Sequence, residues 1–192
     1  GSGIYFNVQS EGSQNLHFAP LTGPIRQVTK GTHMLSIQEI TPTGLAVGTR
    51  TTASAPGDII TFNLKTPDQF TQLTRVNDDI LAGKKIGQQE EIWYTSVDNY
   101  KIQGWIVKPP DFDPAKKYPL MLEIHGGPHS MYNVAFSYSL QNFAANGNVV
   151  LITNPRGSTG YGSKFGNAIE RAYPSVDYDD LMAGVDTVVG RG

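Results

Sequence analysis

The 192-residue chain is 39% hydrophobic and 17% charged, too apolar for disorder and ordinary for one medium domain or parts of two. Its net charge of -2 gives no electrostatic footprint for nucleic acid or an anionic membrane, and no run of like charge offers a tail for partners. The absence of cysteine excludes disulfides, thiolate metal sites and a cysteine nucleophile together.

The chain opens with "GSGIYFNVQS", which has neither a basic start nor a uniform apolar core and no initiator Met. The natural N-terminus is therefore expected upstream, and the compartment, cytoplasmic or periplasmic and secreted, stays undetermined. No apolar run approaches the length of a bilayer span. Up to about residue 80, short alternating segments are separated by turn residues. "IYFNVQS" places Ile4, Phe6 and Val8 on one face, and "NLHFAPL" repeats the pattern with Leu16 and Phe18. "HMLSIQEI", "GLAVGTRT" and "DIITFNL" follow, with breaks at "LTGP", "TPTG" and "SAPGD". This spacing reads as antiparallel β-structure. A propeller is one arrangement of many such hairpins, and residues 1–85 would hold roughly two of the at least four blades that closure needs.

"LAGKKIGQQEE" is a polar junction. "EIWYTSVDNYKIQGWIVKPPDF" then reads as a hairpin turning at Asp98-Asn99, flanked by Trp93, Ile102 and Trp105, and "KPPDFDPAKKYP" as a proline-rich loop. The texture changes beyond it. "LMLEIH" and "NVVLITN" are short, nearly continuous apolar runs, the pattern of strands covered on both faces. Between them Phe136, Leu140, Phe143 and Ala144 mark an amphipathic helix stopped at Gly147. A second helix fits "DYDDLMAGVDTVV", with Leu181, Val185 and Val188 inward and acidic residues in its first turn. Strand, helix, strand, helix predicts an α/β sheet with parallel strands over residues 86–192. A further strand should follow Gly192, so the edge of the sheet is expected to lie open and the chain alone to fold poorly.

"HGGP", His125 to Pro128, follows a strand and precedes a helix. Glycines there can turn a backbone N–H toward a developing oxyanion; a tight turn without chemistry explains them equally well. "NPRGSTGYG", Asn154 to Gly162, follows the next strand. It fails as a phosphate-binding loop, because Ser163 stands where the lysine belongs, and as a dinucleotide fingerprint, because Phe165 replaces the third glycine. His125 and His129 are four apart, but the glycines and proline between them forbid the helix that would make them joint metal ligands. A structural hydrogen bond fits His125, and His129 reads as a loop residue. No Gly-x-Ser-x-Gly occurs after residue 90: Ser130 is flanked by Pro128 and Tyr132, Ser158 by Arg156 and Gly160, Ser163 by Tyr161 and Phe165. Asp177, Asp179 and Asp180 are simpler as helix caps than as general bases. The residues present make no complete catalytic set.

"YPLMLEIHGGPHS", "VVLITNPRGSTGYGSKFGNAI" and "DYDDLMAGVD" together closely resemble the catalytic domain of prolyl oligopeptidase-family serine peptidases, in the branch of acylaminoacyl and dipeptidyl peptidases. The resemblance implies an α/β fold: the N-terminal half of an α/β-hydrolase domain at 86–192, preceded at 1–85 by the last blades of an all-β propeller. It implies that Gly127 donates its backbone N–H to the oxyanion, that Gly126 lets the loop turn, that His125 braces it, and that Arg156, Ser158 and Tyr161 shape the wall near the substrate. The triad Ser, Asp and His would lie in that order beyond residue 192, within the remainder of the same catalytic domain, so the 192-residue piece should be inactive. The parent would acylate its serine on short peptides, admitted beneath the propeller, with no metal or organic cofactor. An esterase on the same fold and a non-catalytic interaction protein are the alternatives. A homo-oligomer stays open, since nothing in the sequence speaks to oligomeric state.

Overall fold

The alternation of the first eighty residues resolves into seven strands: β1 (Gly3–Ser10), β2 (Ser13–Pro20), β3 (Arg26–Gln27), β4 (Met34–Ile40), β5 (Leu45–Thr52), β6 (Ala55–Asn63) and β7 (Thr71–Gln72). In the computed structural model, which describes residues 2–192, they form one sheet in the order β1-β2-β4-β5-β6-β7, with β3 on β2. Every pairing is antiparallel except β2 with β4, which run parallel and meet at the single pair Gln14 and Met34. Leu16, Phe18, Leu35, Ala46, Ile60 and Phe62 make the core of this unit.

The apolar face expected on β1 is not the one that meets that core. The register sets Tyr5 opposite Phe18 and Asn7 opposite Leu16, so Tyr5 packs inward while Ile4 is 68% exposed. Asn7 is itself exposed, and its side-chain amide ties β1 to β4: it accepts from the Ile37 N–H and donates to the Ile37 carbonyl. "SAPGD" is likewise not a break throughout. A register shift between Arg50 and Thr52 lets β6 begin at Ala55 and run through Pro56 and Gly57.

A buried polar knot backs the β2–β4 seam. Arg50 donates to His33 Nδ1, which leaves Nε2–H to donate to Asn15 Oδ1, and Thr29 Oγ1 donates to the same oxygen. Burial, with Arg50 alongside, pulls the His33 pKa down to about 4. The one-turn helix α1 (Asp78–Leu81) follows.

Two units divide the chain: one takes everything up to Lys84 together with Asn133–Phe136, the other Lys85–Tyr132 and Ser137–Gly192. The second unit is a four-stranded sheet in the order β10-β11-β9-β8, from β8 (Gln89–Thr95), β9 (Lys101–Val107), β10 (Leu120–Glu123) and β11 (Val149–Asn154). Only β10 and β11 are parallel; the hairpin β8–β9 joins β11 antiparallel, so the sheet is mixed. The hairpin turns through Asp98 and Asn99, at φ 59° and 58°, a left-handed conformation that these two side chains tolerate. Trp93 pairs with Gln103 and so lies on the face away from Ile102; it is 43% exposed, while Ile102 and Trp105 are buried.

The central strand β11 is buried from Val150 to Asn154, whereas β10, at the edge, is half-buried along its length. The helices are α2 (Tyr138–Ala145), α3 (Ser163–Gly166) and α4 (Val176–Val189). Ser137 caps α2 by accepting from the Leu140 N–H, and Gly147 leaves it at φ 86°, the turn that favours glycine at a helix C-terminus. Leu140 and Ala144 point inward. Phe136, expected on this helix, precedes the cap and belongs to the first unit, where its N–H donates to Thr51 Oγ1. On α4 Leu181 is buried, and Val185 and Val188 pack against the core formed by Ile92, Ile102, Ile106 and Leu151.

Candidate functional site

Two glycine-containing loops leave the carboxyl ends of β10 and β11, the end of an α/β sheet where ligands bind. In the first, His125 to Pro128, the conformational demand falls on Gly127. It is exposed at φ 139°, and a Cβ there would stand 2.8 Å from the His129 nitrogen. Among the described residues the Gly127 N–H has no acceptor. Gly126 is also exposed, but a Cβ would meet nothing within 4 Å, so space does not require glycine at that position. His129 is exposed in the loop.

His125 ties this loop to the next. Its Nε2 lies 3.0 Å from Ser158 Oγ, and its Nδ1 lies 3.0 Å from the Gly126 carbonyl. Ser158 Oγ donates in turn to the Pro155 carbonyl, and Thr159 N–H donates to the Ser130 carbonyl. Asn154, buried at the end of β11, adds a third tie. Its Oδ1 accepts from the Tyr132 N–H at 2.8 Å, and its Nδ2 donates to the Tyr132 carbonyl at 2.9 Å and to the Tyr161 hydroxyl at 2.7 Å. The amide takes the place of a strand neighbour beyond the end of β10 and holds the chain at Tyr132, after the glycines. The Tyr161 hydroxyl donates to Gln103 on β9. Burial and the neighbouring Glu123 carboxylate keep the Tyr132 hydroxyl protonated well above the usual range.

Arg156 is 3% exposed, and its partner Asp180 on α4 is fully buried. Asp180 accepts from the Arg156 backbone N–H, from Nε and from the NH2 group, at 2.9, 2.9 and 2.8 Å. The remaining NH1 group reaches Asp98 at 2.9 Å, and the guanidinium lies 4.6 Å from the Tyr100 ring centroid. Hydrogen bonds to Asp180, above all, raise the Arg156 pKa further. Asp180 is thus an anchor for the second loop and not a helix cap; Ser175 is the N-cap residue of α4 and makes no side-chain cap bond, while Asp177, inside the first turn, accepts from the Ser175 N–H. Of the residues expected near substrate, Arg156 and Ser158 are buried and bonded within the protein, and Tyr161 is half-buried.

Gly157, at φ 101°, closes the second loop on its neighbours: a Cβ would stand 2.4 Å from Ile169 Cδ1 and 3.5 Å from Pro128 Cβ. Beside it opens a cavity of about 450 Å³ whose lining includes Pro128, His129, Asn167, Ile169, Glu170 and Tyr173. A second cavity, about 410 Å³, lies at the opposite ends of the strands, by Leu120 and Val149, away from both glycine loops. Among the described residues no group of three or more His, Asp or Glu side chains could hold a metal ion, and no helix is long and apolar enough to cross a membrane.

Sequence reasoning passed over Asn154, Gly157 and the role of Asp180. The signal for Asp180 was available in outline, as an acid four residues into a helix that also follows a lone loop arginine.

The second unit is thus a mixed α/β sheet with an exposed glycine N–H at the end of a parallel strand, tied to the loop of the next strand. Residues 134–192 match the profile of the prolyl oligopeptidase family. The chain is 32% identical over 190 residues to the uncharacterized peptidase YuxL of Bacillus subtilis, covering 98% of this chain and 29% of that protein. It is 31% identical over 187 residues to dipeptidyl-peptidase 5 of Porphyromonas gingivalis, covering 96% of this chain and 27% of that one. The structure superposes on acylaminoacyl peptidase of Pyrococcus horikoshii with a TM-score of 0.84 at 27% identity, over 97% of this chain and 29% of that one. The match to the prolyl oligopeptidase family lies in residues 134–192, and the chain spans less than a third of the length of these relatives.

Proposed function

We propose that this chain supplies the oxyanion-binding half of a serine peptidase site that hydrolyses short peptides, of the acylaminoacyl or dipeptidyl type, through an acyl-enzyme. One observation carries the reading: the exposed Gly127 N–H has no protein acceptor and stands at the carboxyl end of a parallel strand in a chain whose residues 134–192 match this peptidase family. In this reading Gly127 donates to the tetrahedral oxygen, a contact of the kind worth about 3 kcal/mol. His125, Ser158 and Asn154 hold its loop in place, and Arg156 with Asp180 anchors the loop beside it. Tyr161 braces both through Asn154. Gly126 gives the approaching carbonyl room. Residues up to 85 form propeller blades that limit entry to oligopeptides, and residues 86–192 the first strands of an α/β-hydrolase domain. The nucleophile, its histidine base and the orienting aspartate come from other residues of the same catalytic domain, because no serine of this chain has the glycine-flanked elbow.

The test is hydrolysis of N-acetyl-alanyl and alanyl-alanyl p-nitroanilides by the natural polypeptide that contains this chain, and by residues 1–192 alone. Turnover and active-site labelling by a fluorophosphonate are expected for the first and neither for the second. Cleavage of p-nitrophenyl esters without anilides would replace the peptidase reading with an esterase, and failure of all three in the natural polypeptide would refute acyl transfer.

A further inference from the structure

The cavity beside Gly157 has a composition that the oxyanion role does not use. Its floor is apolar: Ile169 is 4% exposed, Ile169 and Pro128 both line it, and a Cβ on Gly157 would stand 2.4 Å from Ile169 Cδ1 and 3.5 Å from Pro128 Cβ. Its rim is polar and aromatic. Glu170 and Tyr173 line it, Tyr173 is 65% exposed, and no Lys or Arg takes part in the lining. Glu170 pairs with Arg171 at 3.9 Å, the arginine side chain being 92% exposed, a loose surface pair that a better-placed cation can displace. Pro128 belongs to the same tight loop as Gly127, so whatever occupies the cavity sits one residue from the proposed oxyanion donor.

An apolar floor, an aromatic ring and one carboxylate at the mouth match an alkyl stem that ends in a cation. A bare terminal ammonium has no stem to lay on Ile169 and Pro128. We propose that this cavity is a specificity pocket for a lysine or arginine side chain of the peptide substrate. The stem lies on Ile169 and Pro128, and the head meets the Glu170 carboxylate against the Tyr173 ring. The inference rests on the peptidase reading for its place in catalysis, but the binding itself does not require turnover.

The test compares three tripeptides in binding titrations of the natural polypeptide that contains this chain: acetyl-Ala-Lys-Ala-amide, acetyl-Ala-norleucine-Ala-amide, and the norleucine peptide with a free amino terminus. The lysine peptide is expected to bind about fivefold more tightly than its blocked norleucine analogue, a ratio set by one partly exposed ion pair. Glu170→Gln should abolish that ratio, and Tyr173→Leu should reduce it. Both residues are exposed, so their replacement spares the core. Equal binding of lysine and norleucine, an undiminished ratio in Glu170→Gln, or a gain for the free terminus instead of the side chain would overturn the proposal. If the natural polypeptide hydrolyses no peptide, the peptidase reading fails while the binding ratio stands. Hydrolysis that ignores lysine fails the pocket alone.

Discussion

Replacing Asp180 by asparagine isolates what the buried ion pair contributes. Asp180 is fully buried and accepts three hydrogen bonds from Arg156, whose side chain is 3% exposed. Asparagine keeps the volume and one acceptor oxygen but removes the charge and turns one acceptor into a donor facing the guanidinium. Removal of one partner from a buried pair costs about 3–5 kcal/mol, because the other charge stays buried. Asp98 still reaches Arg156 at 2.9 Å with a side chain 67% exposed, which places the expected loss at the lower end, about 3 kcal/mol. Asp98→Asn removes only that exposed partner and should cost no more than about 1 kcal/mol. Urea unfolding followed by tryptophan fluorescence reads the right part of the molecule, since both tryptophans, Trp93 and Trp105, lie in the second unit. Equal losses for Asp98→Asn and Asp180→Asn, or no loss for Asp180→Asn, would refute the claim that the buried pair anchors the loop.

The first unit should weaken in acid. His33 has a native pKa of about 4 against a reference of 6.5, so its contribution is fully present above pH 6.5 and is lost as pH falls toward 4, by up to about 3 kcal/mol. Denaturant unfolding by far-ultraviolet circular dichroism at pH 7.5 and pH 4.5 measures this, and an equal pH dependence in His33→Gln would assign it elsewhere. Asn154→Ala should cost about 2–4 kcal/mol, since it strands the buried-side N–H and carbonyl of Tyr132. It should also speed hydrogen exchange at the Tyr132 amide; an unchanged exchange rate would mean that the clamp is not what holds this loop.

Local rules made the hairpin at Asp98-Asn99 and the helix stop at Gly147 legible, because each depends on the backbone preferences of one or two residues. Alternation also found β1, but period two defines two faces without saying which one meets a core. Tyr5 won that place over Ile4 through its register with Phe18 on β2, a fact about the partner strand. For the site, the glycines of the first loop stood out, yet the loop's rigidity did not. It comes from Asn154 and Tyr132, 22 residues apart, and the hold on the loop beside it comes from Asp180 and Arg156, 24 apart. An aspartate in the first turns of a helix satisfies a capping rule so readily that nothing local signals a different partner. Helix α3 was invisible for another reason: four residues around a single buried Phe165 carry no period.

Both units use an asparagine amide as a substitute peptide group, Asn7 for Ile37 and Asn154 for Tyr132. An amide in such a post is exposed to slow deamidation, in which the backbone nitrogen of the next residue attacks the side-chain carbonyl. Asn154 is followed by Pro155, whose nitrogen carries no hydrogen, and Asn7 by the β-branched Val8. Both clamps are therefore sheltered from chemical ageing. Asn146 at the end of α2 precedes Gly147, the follower that hinders the attack least. Stored protein should acquire its first new negative charge there, at a helix C-terminus where the dipole disfavours it, and the loops that frame the site should outlast it.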